Sequence, residues 1–192
     1  MTRSAPLREV LLETERLHIR TLRPEDGHRV ARFYAENEAH LAPWAPPRPD
    51  GFTTSAYWSL ALVQAQRDLE LDRSVHLYLQ LKGDPQRAVV GTVTLSNILR
   101  GPLQNAILGY DLDHRHVGRG LMTEAARAVV RFGFDTLRLH RLLAGYLPHN
   151  ARSAAVLQRL GFAIEGHQRS YLFANGAWRD HVQTGLVNPR ED

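Results

Sequence analysis

The sequence predicts an α+β fold, mixed α/β in its element order, with a largely antiparallel sheet of about seven strands flanked by about four helices. Three observations predict it. Residues 15–22 alternate apolar and polar side chains, as a half-buried strand does. Strand-like runs further on are cut by Gly83-Asp84-Pro85 and Arg100-Gly101-Pro102. After Gly120, apolar residues Leu121, Ala125, Val129 and Phe132 recur every three or four positions, with Arg127 and Arg131 off that stripe. The resulting order, β-α-α-β-β-β-α-β-α-β-β, groups strands together instead of alternating them regularly with helices, which favours antiparallel pairing. A chain of 192 residues can bury one sizeable core, so a single domain over 1–192 is expected.

Taken in order, the first strand is followed by Pro24-Glu25-Asp26, which opens a helix reaching about Asn37. Proline fits a first helical turn and the two acids suit its dipole. Pro43, Pro46, Pro47 and Pro49 then make a stiff connection around Trp44. Thr53 or Thr54 caps a second helix running to about Leu69. Strands are expected at about 75–81, 88–97 and 104–112, and, after the helix that follows Gly120, at 140–146. Asn150 or Ser153 starts a short helix that Gly161 stops. The tail reads as a hairpin, in which Tyr171-Leu172-Phe173-Ala174 meets Ala177-Trp178 across Asn175-Gly176.

Composition narrows the function classes. Hydrophobic content of 43% and charged content of 23% are those of an ordinary globular chain. No apolar run is long enough to span a bilayer. Met1-Thr2-Arg3-Ser4-Ala5-Pro6 lacks the apolar segment of a secretory signal, so a cytoplasmic protein is expected. The absence of cysteine removes disulfides, thiolate zinc sites and a thiol nucleophile. Ten histidines invite a metal, yet none shows the H-E-x-x-H spacing, and no metal is expected. The net charge of +4 rests on arginine, Lys82 being the only lysine, and suits an anionic partner. Its basic residues are dispersed, which argues against a nucleic-acid or membrane-binding role.

The most informative stretch is Arg115-His116-Val117-Gly118-Arg119-Gly120, lying between a strand-like run and an amphipathic helix. Strand, glycine turn and helix point unpaired N–H groups at an anion, and the two glycines let it come close. A dinucleotide fingerprint would need a third glycine where Thr123 stands, and a P-loop would need a lysine after Gly120. The turn suits phosphate but neither of those nucleotide modes. Two glycines opening a helix by chance is the alternative.

R-x-x-G-x-G matches the pyrophosphate-binding motif of the GNAT N-acetyltransferases, and further segments fall in that family's order. They are Leu41-Ala42-Pro43-Trp44, Gly120-Leu121-Met122-Thr123-Glu124-Ala125, His140-Arg141, Leu147-Pro148-His149-Asn150, Leu160-Gly161-Phe162, Glu165-Gly166 and Trp178-Arg179-Asp180-His181. From about Leu12 to Leu186 the chain resembles the RimJ/RimL subgroup of ribosomal-protein alanine and serine N-acetyltransferases, on the RimJ side. The resemblance implies the GNAT fold, with a splay between the fourth and fifth strands that admits the coenzyme. It implies acetyl-CoA as co-substrate, held by Leu112, Arg115, His116, Val117, Gly118, Arg119, Gly120 and Leu121, with Asn150 and Ser153 along the coenzyme arm. A backbone N–H near Leu112, freed by that splay, would serve the oxyanion.

By the same resemblance Ser153 donates a proton to the departing thiolate, a role many relatives give to a tyrosine. Its other reading, shared by Asn150, is simply that of a helix cap. Asp111, Asp113 and Glu165 are the acids nearest the motif, and Glu165 is the expected base, with a solvated acid at a strand end as the alternative. The RimL-type glutamate would fall at Tyr171 or Leu172, neither of which is acidic. Trp44, Asp111 and Tyr171 are expected at the acceptor, with ordinary packing as the alternative for Trp44. His114 and His116 flank the turn, and His149 precedes Asn150 on the acceptor side. The expected activity is direct acetylation of a protein N-terminus starting with Ala or Ser, by a monomer or homodimer. A small amine, aminoglycoside or polyamine acceptor is the second reading, and a non-catalytic acyl-CoA-binding domain the third.

Overall fold

The computed structural model describes residues 6–189, so Met1 to Ala5, read above for a leader, lie outside it. Eight strands form one sheet in the order β1-β2-β3-β4-β5-β6-β8-β7. They are β1 (Leu11–Glu13), β2 (Leu17–Arg20), β3 (Val75–Leu81), β4 (Val89–Leu99), β5 (Asn105–Leu112), β6 (Arg141–Tyr146), β7 (Ala163–Ala174) and β8 (Ala177–Val187). The helices are α1 (Gly27–Glu36), α2 (Glu38–Leu41), α3 (Ser55–Glu70), α4 (Leu121–Asp135) and α5 (Ala151–Leu160).

The seven expected strands are β2 to β8. The extra strand, β1, and the extra helix, α2, span three and four residues, too few for any periodicity to register. Pro24–Asp26 forms a 3₁₀ turn, and the α-helix proper begins at Gly27. Thr54 is the cap of α3, accepting from the Tyr57 N–H at 3.3 Å. β7 begins eight residues before Tyr171, because register shifts at Ile164/Gly166 and Gln168/Leu172 break its alternation.

Side chains leave the sheet on two faces. Val75, Leu77 and Leu79 of β3 pack with Val129 and Phe132 of α4 and Leu157 of α5. Tyr78, between them in sequence, faces the other way and packs with Val30 and Phe33 of α1 and Leu62 of α3. The β5–β6 pair is parallel whereas the other neighbouring pairs are antiparallel, because α4 carries the chain across between them. That pair is joined only from Asn105↔Arg141 to Ile107↔Leu143. Beyond it β5 continues to Leu112 and β6 to Tyr146, so the two strands diverge and a gap opens between them, as the resemblance implied.

Candidate active site

A cavity of about 1110 Å³ opens along the β5 edge of this gap. Its lining joins the glycine turn and the first turn of α4, Tyr110 to Leu112 of β5, Asn150 and Ser153 of α5, and His40, Leu41 and Trp44. Such a volume exceeds that of most single-ligand clefts and accommodates two reactants. Arg127 and Arg131 of α4 and Arg159 of α5 line the cavity as well.

The glycine turn is held from behind. Buried Asp113 accepts from the Arg115 N–H at 2.8 Å and from the Arg115 guanidinium, whose Nη2 also donates to Glu36 at 2.7 Å. Burial pushes the Asp113 carboxyl up, but the Arg115 hydrogen bonds outweigh it and hold Asp113 well below the usual carboxylate range. Gly118 and Gly120 adopt φ of +76° and +75°, a conformation costly for a residue with a Cβ. The first helical bond of α4 runs from Glu124 N–H to Gly120 O at 3.0 Å. The N–H groups of Leu121, Met122 and Thr123 therefore have no partner within the helix, and these residues line the cavity.

The structure divides the residues expected at the coenzyme. Val117, Gly118, Gly120, Leu121, Leu112, Asn150 and Ser153 line the cavity. Arg115, His116 and Arg119 do not, the Arg115 side chain being engaged by Asp113 and Glu36. Burial lowers the His116 pKa, which favours the neutral ring, a poorer partner for phosphate.

Across the gap the alternation of β5 separates two kinds of chemistry. Asp113 N–H donates to Val90 O at 2.9 Å on the β4 side. By strand alternation the N–H groups of Leu112 and Tyr110 then point away from β4, into the gap. Tyr110 turns toward α5, where its hydroxyl lies 2.8 Å from Ser153 Oγ. Burial pushes the Tyr110 pKa up to about 12, so the phenol keeps its proton at neutral pH. Asp111 turns toward α1, and its Oδ2 accepts from the Tyr34 hydroxyl at 3.2 Å. Burial raises the Asp111 pKa, only partly offset by that hydrogen bond and by Arg48 and His40. Tyr34 is itself rigid, stacked on Trp58 at 4.9 Å with the Arg48 guanidinium 5.0 Å from its ring. Behind Asp111, a Cβ on Gly91 would meet the Asp111 carbonyl at 2.7 Å, so β4 needs glycine there to lie this close.

Asn150 caps α5 by accepting from Ser153 N–H at 3.1 Å, which leaves its NH₂ group to donate elsewhere. Trp44 lines the cavity and meets the His149 ring at 5.4 Å. Two expectations are corrected. Glu165 does not line the cavity; it pairs with Arg141, at the end of β6 still joined to β5. Tyr171 packs edge-on against His181 at 5.4 Å, also away from the cavity. The cause is topological: β8 inserts between β6 and β7, moving β7 one strand away from the gap. Tyr110, Tyr34 and the three arginines were missed. Alternation over 106–112 was the available signal for Tyr110, since it sets that residue opposite Asp111 in facing. Among the described residues, no cluster of His, Cys, Asp and Glu is arranged to hold a metal ion.

Residues 16–163 match the family of acetyltransferase (GNAT) domains. The chain is similar to the [Ribosomal protein uS5]-alanine N-acetyltransferase of Escherichia coli, with 36% identity over 181 residues covering 94% of this chain and 92% of that protein. It is 35% identical to the probable N-acetyltransferase YjcK of Bacillus subtilis over 182 residues, 95% and 99% of the two chains. Among solved structures, the ribosomal-protein-S5-alanine acetyltransferase from Vibrio fischeri is similar with a TM-score of 0.89 and 35% identity, covering 94% of this chain and 97% of that one. Mycobacterium smegmatis RimJ in complex with CoA-disulfide gives a TM-score of 0.84 and 28% identity over 91% and 83%.

Proposed function

The chain belongs to the GNAT acetyltransferase family and is an N-acetyltransferase; from that premise we propose that it transfers the acetyl group of acetyl-CoA to the N-terminal α-amine of a protein beginning with Ala or Ser. A ribosomal protein is the acceptor class favoured by the uS5-alanine specificity in the name of the Escherichia coli relative. The observation that carries this reading is one continuous cavity, from the free N–H groups of α4 along the gap-facing end of β5 to Asp111 and Trp44.

In this mechanism the coenzyme pyrophosphate accepts from the turn and the first N–H groups of α4, where the helix dipole favours negative charge. Arg127, Arg131 and Arg159 receive the 3′-phosphate of the adenosine end. The pantetheine arm lies in the gap, with the thioester oxygen accepting from Leu112 N–H. Asp111, oriented by Tyr34, takes a proton from the incoming ammonium on one side of the gap. Its raised pKa makes it a better base than an exposed carboxylate, and an α-amine with pKa near ~8 needs only modest help. The neutral amine attacks the thioester carbon, the C–S bond breaks as the nitrogen gives up its second surplus proton to solvent, and Ser153 with Tyr110 passes a proton to the thiolate on the opposite face of the sheet and recovers one from solvent. Asp111 beside His40, Trp44 and Arg152 suits one amine on a peptide end; a polyamine or aminoglycoside would call for several acids there.

Free-thiol release from acetyl-CoA tests the proposal. Ala-starting and Ser-starting peptides should support turnover, and Gly120→Glu should abolish it by placing bulk and negative charge at the pyrophosphate. Turnover confined to small amines would replace the acceptor, and coenzyme binding without turnover on any amine would make this an acyl-CoA-binding domain.

A further inference from the structure

The turn between β1 and β2 reaches across more than a hundred residues of sequence to the start of α4. Arg16 N–H donates to Glu124 Oε1 at 3.0 Å and Arg16 Nε to Glu124 Oε2 at 2.7 Å, while Nη1 donates to the Arg119 carbonyl at 3.0 Å. Burial acts to raise the Glu124 carboxyl, and hydrogen bonds from Thr14 and Arg16 outweigh it, keeping it ionised. The platform is firm: Arg16 O accepts from Lys82 N–H at 2.9 Å, and the neighbouring Leu17 is fully buried. We infer that Arg16 is a positioning residue for the coenzyme, acting as a clamp that fixes the direction of the 119–120 peptide.

In a trans peptide the C=O and the following N–H point opposite ways. By holding the Arg119 carbonyl, Arg16 aims the Gly120 N–H away from its own guanidinium. Gly118 and Gly120 both adopt positive φ, so without such a hold the flexible turn has other orientations open to it. Glu124 fixes the guanidinium, and Arg16 in turn neutralises a carboxylate one helical turn from the anion site. Arg16 also lines the cavity, with Nη2 3.7 Å from where a Cβ on Gly120 would stand. Its cost is met before the coenzyme arrives, which is the value of a preorganised site.

This inference rests on the coenzyme reading above, and the test separates the two. CoA affinity by titration calorimetry, with KM for acetyl-CoA and kcat, is measured for the parent, Arg16→Ala, Arg16→Lys, Glu124→Ala and the double alanine variant. Arg16→Ala should weaken CoA binding about tenfold, the effect of losing a charged hydrogen bond. KM for acetyl-CoA should rise in parallel, with kcat at saturation within twofold of the parent. Arg16→Lys should restore little, because one ammonium cannot span both the carboxylate and the carbonyl. The sign for Glu124→Ala is diagnostic. A clamp predicts weaker binding although a negative charge has been removed, and the double variant should be no worse than Arg16→Ala. Tighter binding by Glu124→Ala, or full restoration by lysine, would mean that Arg16 acts as a simple charge and would overturn the clamp. So would an Arg16→Ala variant that melts cooperatively and binds CoA within twofold of the parent. Should Arg16→Ala not fold, Arg16→Lys and Glu124→Ala carry the same comparison. A parent that binds no CoA would overturn the coenzyme reading and this inference with it.

Discussion

Tyr110 and Asp111 are adjacent on β5 and point to opposite faces of the sheet, one hydrogen-bonded to Ser153 of α5 and the other to Tyr34 of α1. In the proposed mechanism this alternation sets the proton donor and the proton acceptor on either side of the thioester. The raised pKa of Asp111 has two consequences of opposite sign. As a base it works only when ionised, so kcat/KM should climb as pH rises through a value above the ordinary carboxylate range. Asp111→Asn should lower kcat about 100-fold, the scale of general-base catalysis, and remove that acidic limb. Burial disfavours its charge, so the native state loses stability as pH rises through the same pKa. At pH 7 the inactive Asp111→Asn variant should melt at a higher temperature than the parent. Equal melting temperatures with an unchanged acidic limb would remove Asp111 from the role of base.

At the scale of elements, α4 does two jobs along its length. Its N-terminal turn offers unpaired N–H groups, and one face lower down carries Arg127 and Arg131, four residues apart and both exposed, near Arg159 of α5. If that face receives the 3′-phosphate, the parent should prefer CoA over dephospho-CoA, and the Arg127→Ala/Arg131→Ala pair should erase about tenfold of that preference, as expected for lost charged hydrogen bonds. Competition binding of the two coenzymes checks this, and a preference untouched by the substitutions would place the 3′-phosphate elsewhere. Both arginines were visible in sequence as residues off the apolar stripe of an amphipathic helix. Periodicity told which side was not core, but gave no reason why two exposed arginines should differ from the chain's many others. The adjacency of α4 and α5 in space supplied it, and the packing that brings Arg159 close is not written in either helix.

Across the whole molecule, the glycine turn is tied to the helices on the opposite face of the sheet. Asp113 and Glu36 share Arg115, and Asn37, at the end of α1, accepts from His114 N–H at 2.9 Å. Asp113 is fully buried and held below its unfolded value near ~4, so its stabilisation is complete above that value and is lost as pH falls through the lower, folded one. Asp113→Asn should cost about 2 kcal/mol of unfolding free energy at pH 7, as for hydrogen bonds to a charged group. The deficit should shrink in denaturant melts near pH 3, where the unfolded parent also binds a proton; a deficit constant across this range would deny Asp113 that electrostatic role.

Most elements were legible locally: alternation marked the strands, Asn175-Gly176 the hairpin, Thr53 or Thr54 and Asn150 or Ser153 the caps, and Arg115 to Gly120 the glycine turn. These depend on residues within a few positions of one another, and short-range sterics and hydrogen bonding decide them. Glu165 and Tyr171 were expected near the chemistry because they follow the motif in sequence, but the insertion of β8 beside β6 carries β7 away from the gap. Arg16, Tyr34 and Glu124 were not singled out because their partners lie 77 to 108 positions distant. The sequence by itself determined most of the elements, the glycine turn and the family resemblance, each a matter of local pattern. Only the tertiary structure decided which side chains share the cavity, because strand order and helix packing bring together residues whose spacing along the chain holds no record of their contact.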